Sequence, residues 1–120
     1  MGNFMNLRVW QLAKEVAVRI YQLTKESEFK KDFGLKDQIQ RSAVSIASNI
    51  AEGDESGSDK QSVKFFYISK GSIAELTTQL IIANEIGYID NEVKNILLDD
   101  CDKMSAMLTK LIKSRREARG

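Results

Sequence analysis

Proline and histidine are both absent from this chain of 120 residues, and cysteine occurs once, at Cys101. Without proline, helices have no internal breaker, and punctuation falls to glycine and to Ser, Asp and Asn caps. Without histidine and with a single thiol, a Ser/His/Asp triad, a Cys/His pair, a His-based metal centre and a multi-cysteine zinc site are excluded within one chain. Cys101 has no intrachain disulfide partner, which fits a reducing cytoplasm. No apolar run approaches the ~20 residues needed to span a bilayer, so no membrane partner is expected. The stretch "MGNFMNLRVW" lacks the apolar core of a secretory signal. Its Met-Gly opening departs from a myristoylation motif at Asn6, where Ser or Thr belongs.

Hydrophobic residues at 42% and charged residues at 29% are the balance of a soluble globular chain, and 120 residues suffice for one domain with a real core. The net charge of +1 argues against a strongly basic nucleic-acid binder, but the charge is unevenly placed. From Cys101 onward there are six cations (Lys103, Lys110, Lys113, Arg115, Arg116, Arg119) against Asp102 and Glu117, a net of +4. The stretch from Glu52 to Asp59 holds four acids and no base.

Apolar residues recur at helical period in four segments, at about 7–25, 33–52, 59–86 and 91–114. In the first, Val9, Trp10, Ala13, Val16, Ala17, Ile20 and Tyr21 share a face, with Asn6 placed to cap it. The second carries Leu35, Ile39, Ala43, Ile46 and Ile50 and is expected to end at Gly53 as a C′ glycine. "GDESGS" is the most loop-like stretch, after which Ser58 and Gln61 have capping-box spacing. Gly87 should close the third helix and Asp90 cap the fourth. The fourth has a stripe of Val93, Leu97, Cys101, Met104, Leu108 and Leu111 in steps of four and three, and is expected to fray within "KSRREARG". Short connections between long amphipathic helices make neighbours antiparallel, so the expected fold is all-α, an up-and-down four-helix bundle occupying residues 1–120.

The second helix also has a hydrophilic but nearly uncharged row. Gln38, Ser42, Ser45, Asn49 and Glu52 form one arc beside the isoleucine stripe, with Arg41 on the polar side. On the third helix, Ser69, Ser72, Leu76 and Leu80 centre the apolar face, Glu75 and Gln79 edge it, and Ile68, Ile82 and Ile86 lie beyond. A buried amide or hydroxyl left unpaired costs about 1–3 kcal/mol, so the two rows are expected to meet, with Arg41 as the first candidate donor to Glu75. The competing reading treats them as scattered surface residues. Val44, Ala47 and Ala51 on one helix and the isoleucine arc on the other exceed what one core stripe needs, which marks either a subunit interface or a wide core face.

Three functional readings follow. The first is a non-enzymatic oligomeric scaffold that associates with RNA through Lys110, Lys113, Arg115, Arg116 and Arg119; the same cations also simply suit a helix C-terminus. The second is an adaptor for a protein partner such as a polymerase, with one of Phe65, Phe66 and Tyr67 facing outward. The third, a metal-dependent carboxylate enzyme using Glu52 and Glu75, lacks the Glu-x-x-His pairs of di-iron bundles, and no cofactor or catalytic residue is expected.

The strings "VWQLA", "DFGLKDQIQRSAVSIASNIAEG", "FFYISKGSIAELTTQL" and "IANEIGYI" resemble the four-helix bundle family named for proteins encoded in intervening sequences of bacterial 23S rRNA genes. Ser45, Ser48, Asn49, Glu52 and Gly53 match one motif of that family, and Gly71, Ser72, Glu75, Leu76 and Gln79 the other. Ala47 stands where many members have proline. The resemblance implies a bundle that assembles into a ring, a homopentamer, and kinship with bundle-shaped accessory proteins of diversity-generating retroelements, which bind nucleic acid and a reverse transcriptase. It transfers no catalytic residue.

Overall fold

The structure is a computed structural model and describes residues 3–118. Arg119, one of the tail cations named above, lies outside the described residues. Four α-helices follow one another: α1 (Arg8–Leu23), α2 (Phe33–Glu55), α3 (Asp59–Glu85) and α4 (Asn91–Ala118). Each packs on its chain neighbours and α1 closes against α4, which is the expected antiparallel up-and-down bundle, 50 × 20 × 20 Å overall. The long dimension follows from helix length, since 28 residues at about 1.5 Å each span about 42 Å.

The core is one continuous cluster along the bundle axis. Val9, Ala13, Val16 and Ile20 of α1 meet Ile39, Ala43, Ile46 and Ile50 of α2, with Phe66, Leu76 and Leu80 of α3 and Leu97, Cys101, Met104 and Leu108 of α4. The α4 stripe closes with Ile112, while Leu111 is only partly buried. Tyr21 is 44% exposed, so the α1 face is narrower than its periodicity implies.

The punctuation follows local chemistry. Ser58 accepts from the Gln61 amide at 3.2 Å and Asp90 from the Val93 amide at 2.8 Å, so both cap as their spacing predicts. Gly87 has φ +88°; its amide donates to the Asn84 carbonyl and the Tyr88 amide to that of Ala83, the paired bonds of a Schellman stop. Asn6 is not a cap. It belongs to a 3₁₀ turn, Phe4–Asn6, and Leu7 takes the N-cap position without a side-chain bond. Packing fixes this entry instead, with Phe4 edge-on to Trp10 at 5.2 Å. Helix α4 ends at Ala118, within "KSRREARG" and four residues past the expected 114, with Arg115 anchored to the rest of the bundle.

Gly53 does not end α2 either. The helix runs through it to Glu55 and stops at Ser56, whose ψ of 152° leaves the helical region. The glycine serves close packing: an added Cβ would sit 2.5 Å from Phe66 Cε1 and 2.8 Å from its Cδ1. That proximity lets the Ser62 hydroxyl donate to the Gly53 carbonyl at 2.6 Å. Seven residues along, the Ser69 hydroxyl donates to the Ile46 carbonyl at 2.8 Å. Serines at heptad spacing on α3 thus bond carbonyls at heptad spacing on antiparallel α2, and side chains this small hold the two backbones together.

One anchor is absent from the sequence-based reading. A 3₁₀ turn, Ser27–Lys31, buries Phe29 completely, and Phe29 packs against Tyr88 at 5.2 Å. Asp32 then caps α2 by accepting from the Leu35 amide at 3.0 Å and takes the Tyr88 hydroxyl at 2.9 Å on its other oxygen. These two bonds, the backbone one first, lower the Asp32 pKa, and the carboxylate in turn raises that of Tyr88.

Candidate functional site

The polar rows of α2 and α3 do meet, and they meet inside the chain. Ser72, buried on α3, donates to Ser45 Oγ at 2.9 Å, and Asn49 Nδ2 donates to Ser45 Oγ and to its carbonyl at 3.0 and 2.9 Å. Ser42 is buried and donates to the Gln38 carbonyl. Of these bonds only Ser72–Ser45 crosses between the helices, while those of Asn49 and Ser42 stay within α2. Of the remaining members, Gln38, Arg41, Ser48, Glu52 and Glu75 are exposed and Gln79 is buried.

The expected Arg41–Glu75 pair does not form. Arg41 instead reaches one turn back to Asp37 at 3.3 Å, where both side chains are mostly solvated. The i,i+4 geometry on one helix costs less ordering than spanning the groove. Glu75 has no ion pair among the described residues. Gln79 is 9% exposed, and its Oε1 is buried without a hydrogen-bond partner.

These residues line an open groove of about 640 Å³, with Gln38, Arg41, Ser42 and Ser45 on α2, Glu75 and Gln79 on α3, and Tyr21 and Val44 at its edge. Val44, Ile68, Ile82 and Ile86 remain between 41% and 52% exposed. On α3 the series Ile68, Ser72, Glu75, Gln79, Ile82, Ile86 advances in steps of four and three, a second heptad seam beside the one facing the core. The groove thus carries one cation, Arg41, and one carboxylate, Glu75, and is flanked by exposed isoleucines.

The tail cations divide. Arg115 donates to Asp54 Oδ1 at 2.7 Å and to Ser62 Oγ at 3.2 Å, and its guanidinium lies 5.4 Å from the Phe66 ring centre. Asp54 is 8% and Arg115 23% exposed, so this cation is committed to joining α4 to the α2–α3 turn and is not free for a phosphate. Arg116, one residue on, lies over the exposed ring of Tyr67 at 5.4 Å. Lys113 approaches Glu117 only to 4.0 Å in solvent, and Lys110 is exposed. Of the three adjacent aromatics, Phe66 is core, Phe65 half-buried and Tyr67 outward.

Glu52 and Glu75 are part of no metal-ligating cluster; among the described residues no group of three or more His, Cys, Asp or Glu comes together. Among them also, no helix is long and apolar enough to cross a membrane. Burial pushes the Cys101 thiol up to about 11, which leaves it protonated and unreactive near neutrality.

The fold is that of an all-α four-helix bundle, and its α2–α3 groove is only partly satisfied. The chain is a member of the 23S rRNA-intervening sequence protein family, whose model matches residues 5–110. It is similar to a crystal structure from Bacteroides thetaiotaomicron VPI-5482, described as a protein with unknown function from the S23 ribosomal protein family. That likeness has 27% sequence identity and a TM-score of 0.80 over 88% of this chain and 98% of the other. Comparison with curated proteins gives no match.

Proposed function

We propose that the protein is a non-enzymatic scaffold that acts as a homo-oligomer, with the α2–α3 groove and its isoleucine rim covered by further copies of the same chain. The observation that carries this reading is the unfinished pairing of the groove. Gln79 Oε1 is buried without a donor, and Glu75 lacks a cation although Arg41 lines the same groove. An exposed cation and an unpaired carboxylate on one face allow each copy to supply what the next lacks, while Val44, Ile68, Ile82 and Ile86 give the contact its apolar area. A ring of five copies is the form that the family resemblance implies.

Nucleic-acid association is the second part of the proposal, supported by the exposed cations of α4, Lys110, Lys113 and Arg116. A ring would repeat this modest patch around its circumference. The adaptor reading, with a polymerase or reverse transcriptase as partner, rests on the same exposed face and predicts a monomer until the partner is added. Light scattering of the purified chain separates them. A molar mass that is a multiple of 13.6 kDa supports the scaffold, and 13.6 kDa at tens of micromolar overturns it.

A further inference from the structure

A second crevice, of about 330 Å³, opens between α3 and α4 on the side away from the α2–α3 groove. Three cations converge on it: Lys70 from α3, and Lys113 and Arg116 from α4. Two are held in place by neighbours that carry no charge. Lys70 Nζ donates to the Thr109 hydroxyl at 2.6 Å, and Arg116 stacks on Tyr67. The one carboxylate, Glu117, is 4.0 Å from Lys113, with both side chains more than two-thirds exposed. Neither Lys70 nor Arg116 has an ion pair among the described residues. The local surplus is therefore two positive charges.

Like charges on long side chains ordinarily diverge into solvent. Here a hydroxyl and an aromatic ring hold two of them at the walls of one crevice, whose floor includes the buried Ile112. Two ammonium groups and a planar guanidinium match the several acceptor oxygens of a phosphate, with the guanidinium able to bind two at once. Tyr67, 47% exposed, adds a flat apolar face at the mouth. Aromatic faces beside cations take nucleobases irrespective of base identity.

We propose that this crevice binds the phosphate of a nucleotide unit, with Lys70, Lys113 and Arg116 on the phosphate oxygens and the Tyr67–Arg116 stack against the base. It deepens, and rests on, the nucleic-acid part of the reading above only where the nucleotide belongs to a polymer; a free nucleotide carries the same chemistry. Lys110 is not among the lining residues and Arg115 is committed elsewhere, so the site takes only Lys113 and Arg116 from the tail and adds Lys70 from α3.

Binding of three probes at low salt tests this: inorganic phosphate, adenosine monophosphate and a short single-stranded oligoribonucleotide, each with folded protein verified by circular dichroism. Lys70→Gln and Arg116→Gln should each weaken the probe that binds by about tenfold, with Lys31→Gln, at an exposed cation that does not line the crevice, unchanged. Tyr67→Leu should weaken the two base-containing probes more than inorganic phosphate, which loses only the ring's hold on Arg116. For the oligoribonucleotide, neutralising the one phosphate in the crevice contributes about −0.7 to the slope of log affinity against log salt, and Lys70→Gln and Arg116→Gln should each flatten it. Preference for the monophosphate assigns the site to free nucleotides, and preference for the oligomer assigns it to RNA. Oligoribonucleotide binding that is indifferent to Lys70 and Arg116 overturns the crevice and leaves nucleic-acid association standing on other cations. Failure of all three probes at low salt overturns both.

Discussion

Replacing Gly53 with alanine sets two known effects against each other. Alanine in a helix interior is favoured over glycine by about 1 kcal/mol, so the exchange should stabilise α2 if nothing lay nearby. The new Cβ, however, would sit 2.5 Å from Phe66 Cε1, 2.8 Å from Cδ1 and 3.2 Å from Phe65 Cβ. Phe66 is fully buried and cannot swing aside. Overpacking of this kind costs about 1–3 kcal/mol. Gly71 is the matched comparison, a helical glycine whose added Cβ meets nothing within 4 Å. The helix preference is common to both, so the difference between Gly53→Ala and Gly71→Ala isolates the clash at about 2 kcal/mol. With a urea m-value of about 2 kcal/mol/M, that is about 1 M between the two midpoints, measured at a single protein concentration. In a Phe66→Leu background the cost of Gly53→Ala should shrink, since the atoms it meets are gone. A Gly53→Ala midpoint equal to or above that of the parent would refute the close-approach argument.

Arg115→Met should cost about 2 kcal/mol in thermal or urea unfolding, because it strands a buried Asp54 and removes two charge-assisted bonds, whereas Lys110→Gln should stay within about 0.5 kcal/mol. Cys101 should resist iodoacetamide near pH 8 in the folded protein and react at once in denaturant; rapid labelling under native conditions would contradict its burial. The Asp32–Tyr88 bond gives a pH signature. Asp32 has a lowered pKa, so its contribution is present above the unfolded value of about 3.9 and disappears as pH falls through the lower folded value. Tyr88 has a raised one, so its contribution is present below about 10 and disappears as pH climbs through the folded value. The stability gap between the parent and Tyr88→Phe should therefore be widest between those limits and narrow on both sides; a gap independent of pH would show that the bond does not form.

The bundle was legible because its code is local and repeated. Ile39, Ile46 and Ile50 recur at helical period, and Ser58, Gly87 and Asp90 each have one structural use at their spacing. Gly53 was misread because glycine serves both helix ends and tight crossings, and only the position of Phe66 decides between them. Asp32 was missed because its second partner, Tyr88, is 56 residues away. The tail cations show the limit most plainly: Arg115 and Arg116 are adjacent and chemically identical, yet helical rotation sends one to a buried carboxylate and the other to an exposed ring. Lys70 lies inside the string "FFYISKGSIAELTTQL", yet its bond to Thr109, 39 residues away, depends on the helix packed beside it and has no local signature.

The central claim is that the α2–α3 face is covered by another copy. Sedimentation velocity of Ile82→Glu beside Ile96→Glu tests it most directly, because both isoleucines are about equally exposed and only Ile82 lies on the α3 seam beside the groove. The account predicts that Ile82→Glu sediments at 13.6 kDa with its helicity intact while Ile96→Glu keeps the parent's larger mass. A parent that is itself monomeric, or an Ile82→Glu variant that assembles as the parent does, would contradict it.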